Sequence, residues 1–486
     1  MNRFLKNSGI TLFSYLIVSI LILMAKNVSA QYFTEKPRVF VLTDIENEPD
    51  DAQSLVRFLT YSNQWDVEGI VATTSIWQKD KTAEWRIHEI VDAYSKVRSN
   101  LEIHESGYPE YEYLKSIIKI GVPKFGMAGV GEGQDSEGSE WLITTLKKKD
   151  DRPIYIQAWG GANVLAQALW KMERTMTQKE LDQIIQKMRI YTISDQDDTG
   201  PWIRKNFPNL FYIVSPGYEE NGGGQYHHAT WTGISGDKMH GRFIGPDFTI
   251  VDNPWLDEHI RNNHGPLGAQ HPHTEYLMEG DTPSFLGLVN NGLNNPENPN
   301  FGGWGGRYEL YIPQFKKYMY ELETRPIWTN ADDEVYSPIT DSFHTSNHAT
   351  IWRWREAYQN DFAARIDWSN TSNYSAANHP PVAKLDHVNE LVVHSGDNVT
   401  LSGVGSSDPD GNKLTYQWIV YNEVGTLNIN RSNVKLEDAN AQVTSFVAPT
   451  TDKSKTIHFI LQVTDNGTPN LTRYQRCIVN VIPKVK

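Results

Sequence analysis

Short apolar runs alternate with segments of helical spacing through the first half of the chain. Arg38–Thr43 (RVFVLT) reads as a buried strand, and Ala52–Tyr61 (AQSLVRFLTY) gathers its apolar residues on one helical face. Val67–Thr74, Pro153–Ala158, Met188–Ile193 and Leu210–Val214 read as further strands, with Glu84–Val97 and Asn163–Met172 as helices between them. This order predicts an α/β fold, a mostly parallel sheet flanked by helices. In such sheets ligands bind outside the carboxyl ends of the strands, so the polar residues just after each strand matter most.

From about Tyr218 to Gly306 the chain becomes rich in Gly, Asn, Pro, His and Trp. The stretch is too long and too aromatic for a linker, and it is expected to form loops over a pocket, with a helix at Pro283–Val289. Pro313–Leu322 and Thr350–Arg365 have helical spacing and should close the domain. A polar segment, 369–381, ends in Pro-Pro and reads as a linker. Beyond it, short alternating runs such as NVTLSGV, LTYQWIV and RCIVNVI predict an all-β sandwich over 382–486. It resembles the immunoglobulin-like and PKD-like modules appended to secreted carbohydrate-active proteins, with Trp418 at the position of a core tryptophan.

Residues 1–30 carry Arg3 and Lys6, then an apolar stretch, then Val28-Ser29-Ala30, a small-residue cleavage site. That is the pattern of a secretory signal peptide. It leaves 31–368 as the α/β domain of an exported, periplasmic or extracellular protein without stable membrane insertion after cleavage. Asp and Glu outnumber Lys and Arg by 59 to 45, which argues against a nucleic-acid polymer as partner. One cysteine, Cys477, excludes an intramolecular disulfide and a Cys-rich zinc site. It lies in an alternating run and reads as a buried strand residue.

The sharpest chemical signal is LTDIENEPDDAQSL, where Asp44, Glu46, Glu48, Asp50 and Asp51 fall between a strand and a helix. So many carboxylates on one turn repel each other unless solvent, a helix terminus or a cation relieves them. Asp50 or Asp51 could cap the helix, but a cap needs one carboxylate. The remainder favour a divalent-cation site, and an all-oxygen donor set suits calcium or magnesium over zinc. His271-x-His273 has metal-ligand spacing but lacks a third partner.

This turn resembles the N-terminal signature of the calcium-dependent nucleoside hydrolases, a strand followed by D-x-D-x-G-x-D-D-A. The resemblance implies Glu46 as calcium ligand and base, Asp50 as a sugar contact and Asp51 as a ligand. A loop longer by two residues would instead put Asp44 at the base position, and the longer Glu46 side chain favours Asp44. Tyr155–Ala168 (YIQAWGGANVLAQA) is similar to the family's strand, Gly-rich turn and Asn-initiated helix. It implies a calcium-binding carbonyl at Ala162, with Asn163 as a substrate contact or a plain N-cap. Glu279-Gly280-Asp281-Thr282-Pro283 resembles the family's His-Asp-Pro segment, which makes Asp281 a calcium ligand and leaves Gly280 where the family has histidine. Over Pro37–Pro483 the chain resembles secreted nucleoside hydrolase-like proteins labelled cellulose-binding, including at EGDTPSFLGLV and GGWGGRYE.

The resemblance implies hydrolysis of N- or O-glycosidic bonds by a calcium-held water, with a carbohydrate or nucleoside as partner. A non-catalytic polysaccharide-binding protein on the same scaffold is the alternative. Trp159, Trp202, Trp231 and Trp304 adjoin strand ends or Gly-rich loops, and Trp159 and Trp304 are the expected sugar-stacking faces. Candidates for handling the leaving group are His227, His228, His264, His271, His273, Glu219, Glu220, Glu279, Asp195, Asp197 and Asp198. Arg307 could bind a carboxylated sugar or pair an acid.

Overall fold

A computed structural model describes residues 35–216, 226–314, 319–427 and 434–484. The expected signal peptide and the candidates Glu219 and Glu220 lie outside them. No described helix is long and apolar enough to cross a membrane.

The first body is built on an eight-stranded sheet. Its strands are β1 Arg38–Thr43, β2 Asp66–Ala72, β3 Ile118–Ile120, β4 Ile154–Ala158, β5 Met188–Ser194, β6 Phe211–Ser215, β7 Tyr308–Tyr311 and β8 Ile327–Asn330. Their spatial order is β3-β2-β1-β4-β5-β6-β8-β7, parallel except for the antiparallel edge strand β7. The apolar runs are buried on both faces: all of β1 and β4 is shielded from solvent. Helices cover the sheet, among them α1 Pro49–Thr60, α2 Glu84–Ser95, α3 Asn163–Thr175 and α4 Arg355–Asn370. β1 pairs with β2 on one side and β4 on the other, so the strand order reverses there. That switch point is where open α/β sheets bind ligands.

The region from Tyr226 to Gly306 forms short helical turns and loops, as the composition suggests. Pro283–Leu286 is a single helical turn, shorter than expected. Pro313–Leu322 is not helical at its described residues. It lies between β7 and β8, whose short runs offer little periodicity to read. A further ribbon, β9 Asp333–Ser337 with β10 Ser342–Ser346, precedes α4 and has no counterpart among the expected elements.

The C-terminal strands are β11 Glu390–His394, β12 Asn398–Ser402, β13 Thr415–Gly425, β14 Val443–Val447, β15 Lys455–Thr464 and β16 Thr472–Ile482. They form two sheets, β11-β16-β15-β13 and β12-β14, around a core that includes Trp418 and Cys477. Burial pushes the Cys477 thiol up to about 12, which suits an inert core residue. This body does not hang from a loose tether. Tyr421, Tyr474 and Ile478 join the same apolar cluster as Trp304, Trp354 and Tyr358. Arg476 donates to the carbonyls of Leu293, Phe301 and Gly302 at 2.9, 3.1 and 3.2 Å. Asp333, fully buried, accepts from Arg307 Nε at 2.7 Å, Arg353 Nη1 at 2.8 Å and the Tyr421 hydroxyl at 2.7 Å. The expected linker is equally fixed. It starts inside α4, and His379 stacks on Tyr374 with ring centroids 3.7 Å apart.

Candidate functional site

β1 ends at Thr43, and the acidic turn starts with the next residue. Thr43 is held twice: its hydroxyl accepts from Ile45 N–H at 3.1 Å and donates to the Asp51 carboxylate. Pro49 opens α1, placing Asp50 and Asp51 in its first turn with their side chains buried. The cap itself is Glu48, whose side chain makes no capping bond, so capping does not account for these acids. Across the switch point, the Gly160-Gly161 turn after β4 lies against the same residues. A Cβ on Gly160 would fall 2.5 Å from Asp44 Oδ1, and one on Gly161 2.3 Å from Asp197 Oδ2. Any side chain at Gly160 would push Asp44 out of place.

The late segment arrives over α1. Glu279 is fully buried; it pairs with Arg57 of α1 (Nη2 to Oε1, 3.2 Å) and with His271 Nε2 at 3.0 Å. Burial alone would raise Glu279, but Arg57 and His271 outweigh it and hold the carboxyl below its usual range. Glu279 also adopts φ 53, and Glu46 φ 71, left-handed conformations that non-glycine residues keep only when their surroundings enforce them. The anchored Glu279 carries Asp281 onto the acidic turn. One carboxylate oxygen from each of Asp50, Asp51 and Asp281 lies within 4.8 Å of the others. Asp281 is not the cap of its helical turn; Thr282 is.

Burial and mutual repulsion dominate the electrostatics. Burial, with Glu48 nearby, pushes Asp44 up to about 6. Burial and then Asp44 push Asp50 up to about 7, and burial and then Asp50 do the same to Glu48. Asp51 and Asp281 are raised well above the carboxylate range, by burial first and then by neighbouring acids. Both carboxylate oxygens of Asp281, and Oδ2 of Asp44, are buried without a hydrogen-bond partner. Buried polar atoms are nearly always partnered. Convergent, unpartnered, oxygen-only donors fit a hard divalent cation, whose charge would reverse the local field. The residues therefore suit the metal that the nucleoside hydrolase resemblance implies.

These acids floor a cavity of about 430 Å³. Asp44, Asn47, Glu48, Asp50, Asp51 and Asp281 form one side of it. Trp77, Tyr226, Trp231, Asp237, His240 and Tyr276 are on its other walls. Of these wall residues, sequence reasoning singles out only Trp231. Trp77 follows β2, at the end of the strand where sites form, so its position is a usable signal. Asp237, His240 and Tyr276 lie in loops without periodicity.

Several expectations are corrected. Glu46 pairs with Arg86 at 3.2 Å and is not on the cavity lining. Trp159 and Trp304 are fully buried and have no ring face for a sugar. Trp159 packs on Phe58 and Phe285, and Trp304 on Tyr358 and Tyr474. Asn163 does not line the cavity; its Nδ2 donates to Lys124 O at 2.8 Å and Thr74 Oγ1 at 3.1 Å. Ala162 is the N-cap of α3 and lies outside the lining, its carbonyl accepting Ala166 N–H at 2.9 Å. Asp195 is paired with Arg204, and Asp197 with the Thr199 hydroxyl. Asp198 accepts Met127 N–H at 2.8 Å. His271 pairs with Glu279, His273 contacts Asp257, and Arg307 pairs with Asp333; none of the three is on the cavity lining.

Residues 38–308 match the family model for the cellulose-binding Sde182 nucleoside hydrolase-like domain. Residues 398–481 match the model for the C-terminal domain of the cellulose-binding protein Sde0182. A solved structure from Saccharophagus degradans, a nucleoside hydrolase-related protein associated with carbohydrate metabolism, is 36% identical. It covers 92% of this chain and 100% of its own, with a TM-score of 0.76. A PKD domain is 26% identical over 23% of this chain and 92% of its own, with a TM-score of 0.16. Effector protein XOO4466 is 8% identical over 74% of this chain and 99% of its own, with a TM-score of 0.37. No curated protein matches. Both segment matches and the full-length likeness to the Saccharophagus structure agree: the chain belongs to the Sde182 family, nucleoside hydrolase-like proteins described as cellulose-binding.

Proposed function

We propose that this protein is an exported hydrolase of glycosidic bonds that works with a bound calcium ion. The observation that carries this reading is the set of buried, partly unpartnered carboxylates flooring an aromatic-walled cavity at the sheet's switch point. A pure binding surface has no need to bury repelling acids where a sugar would sit. Asp50, Asp51 and Asp281 would hold the ion, with Asp44 beside them. When bound, calcium fixes a water and sugar hydroxyls and lowers the pKa of that water. Asp44 has one buried oxygen without a partner, which suits it to accept the water's proton. Burial of the floor keeps bulk water from competing, and the aromatic walls orient the sugar ring.

The family's cellulose-binding description supports a second reading, a polysaccharide binder that keeps the metal without turnover. One assay separates the two. The protein lacking residues 1–30 is incubated with nucleosides and with plant-glycan oligosaccharides, with and without calcium, and released sugar is measured. Calcium-dependent release that Asp51→Asn abolishes is the expected result. Retained binding to insoluble cellulose with no release from any substrate would overturn the hydrolase reading.

A further inference from the structure

A glycosidic bond that breaks toward an alkoxide needs a proton delivered to the departing oxygen. The floor of the cavity suits the opposite task, since Asp50, Asp51 and Asp281 would hold a cation with Asp44 on the same lining. The loop wall facing it carries a different pair. Asp237 Oδ2 lies 2.6 Å from His240 Nδ1, and both residues line the cavity. The other oxygen of Asp237 accepts Met239 N–H at 2.7 Å, so the carboxylate is fixed from its own loop and is itself buried. A carboxylate on Nδ1 orients the ring and commits Nε2 to the far side. Two other donors on the lining are already engaged. Trp231 Nε1 donates to Ser194 Oγ at 3.0 Å, and Gln196 Nε2 to the Trp159 carbonyl at 2.8 Å. His240 is the only histidine among the described lining residues. Trp77 and Tyr276, 57% and 41% exposed, line the same cavity and offer a departing sugar an apolar face.

We propose that His240, oriented by Asp237, is the general acid that protonates the leaving group, and that the bond cleaved is an O-glycoside with a sugar alcohol oxygen departing. This rests on the hydrolase reading above. His240 Nε2–H gives its proton to the glycosidic oxygen while the anomeric C–O bond breaks, its electron pair passing to that oxygen. A lone pair of the attacking water forms the new bond to the anomeric carbon, and the water's proton passes to Asp44. The products are a free sugar and an alcohol. Neutral His240 then regains a proton from solvent, and Asp44 returns its own. The titratable groups near His240 include Asp237, His227, whose ring centroid is 6.3 Å away, and Glu48, which lines the same cavity.

The test compares leaving groups. kcat/KM is measured for the wild-type protein, His240→Gln, Asp237→Asn and Glu48→Gln on methyl and dinitrophenyl glycosides of glucose and ribose. A methyl alcohol departs poorly without a proton, whereas dinitrophenolate departs without one. His240→Gln is expected to lose about 10²–10⁴-fold on the methyl glycoside and far less on the dinitrophenyl one. Asp237→Asn should show the same split to a smaller degree, which a purely structural role would not produce. Equal losses on both leaving groups, or a split that follows Glu48→Gln instead, would overturn the assignment while leaving the hydrolase reading intact. A wild-type protein that cleaves none of these O-glycosides but releases sugar from nucleosides, calcium present, overturns the O-glycoside assignment alone; one that releases sugar from neither these, nucleosides nor plant-glycan oligosaccharides removes the hydrolase reading as well.

Discussion

Replacing Asp281 with asparagine should raise the protein's stability in chelator and remove its response to calcium. Asp281 is 1% exposed and shares a 4.8 Å cluster with Asp50 and Asp51. At an effective dielectric of about 20, two like charges at that separation repel by about 3.5 kcal/mol. Proton uptake by the neighbours relieves part of this, so the release is capped near the figure for one pair. The asparagine side chain keeps the shape and removes the charge. In EDTA the variant should therefore unfold a few degrees above the wild-type protein. Calcium reverses the order. Free calcium at about 100 times Kd stabilises a one-site protein by about 2.7 kcal/mol, and the variant loses a ligand and with it most of that gain. Thermal unfolding by calorimetry, in EDTA and in millimolar calcium, reads both arms. The reasoning fails if the variant is less stable than wild type in EDTA and still shows the full calcium shift. The carboxylates would then be held together by protons and hydrogen bonds, and the cation would bind elsewhere.

Trp77→Ala should weaken oligosaccharide binding by about fivefold, as loss of an aromatic face worth about 1 kcal/mol implies, without changing the melting temperature. Trp304→Ala should do the reverse, losing about 3–5 kcal/mol of stability in a denaturant titration because its ring is fully buried. Asp333→Ala leaves Arg307 and Arg353 buried without their shared acceptor, a loss of about 3–5 kcal/mol in the same titration. Burial, with His227 nearby, pushes His348 down to about 3. Below pH 6.5 the unfolded chain therefore takes up a proton that the folded chain refuses, so stability falls as pH drops toward 3. Between pH 6.5 and 5 this amounts to about 2 kcal/mol, and His348→Phe should flatten that part of the pH–stability curve.

The fold is legible because its strongest signals are local. The run RVFVLT can be buried on both faces only as a central strand, and AQSLVRFLTY has one period that fits a helix. Where elements are short, the same method loses its signal. Tyr308–Tyr311 and Ile327–Asn330 span too few residues to show a period, and Pro313–Leu322 between them has helical spacing without the helix. The acidic turn is visible for a different reason. Five carboxylates in eight residues demand an explanation whatever the fold. The tryptophans mislead because composition reports how many aromatic faces exist and not which way they point. Trp159 follows a strand end as Trp77 does, yet it turns inward onto Phe58 while Trp77 stays exposed.

Glu46 and Glu279 together indicate how much of the site depends on tertiary context. Each sits in a left-handed conformation beside a proposed ligand segment, and each is held by an arginine, Glu46 by Arg86 and Glu279 by Arg57. The first contact pulls a carboxylate out of the cluster, and the second delivers Asp281 into it. Neither arginine is near its partner in sequence, so no spacing rule predicts which acids of the turn face inward. The choice of Asp44 over Glu46 at the floor follows from that division. A side chain directly after the strand, packed against the bare Gly160 backbone, is placed by the sheet itself, whereas one two residues later is free to be drawn away. Gly160→Ala should therefore resemble Asp44→Asn in its effect on turnover while leaving the Asp50, Asp51 and Asp281 cluster able to bind calcium. A variant that loses the calcium-induced thermal shift as well would mean that Asp44 belongs to the ligand set and cannot be separated from it as a base.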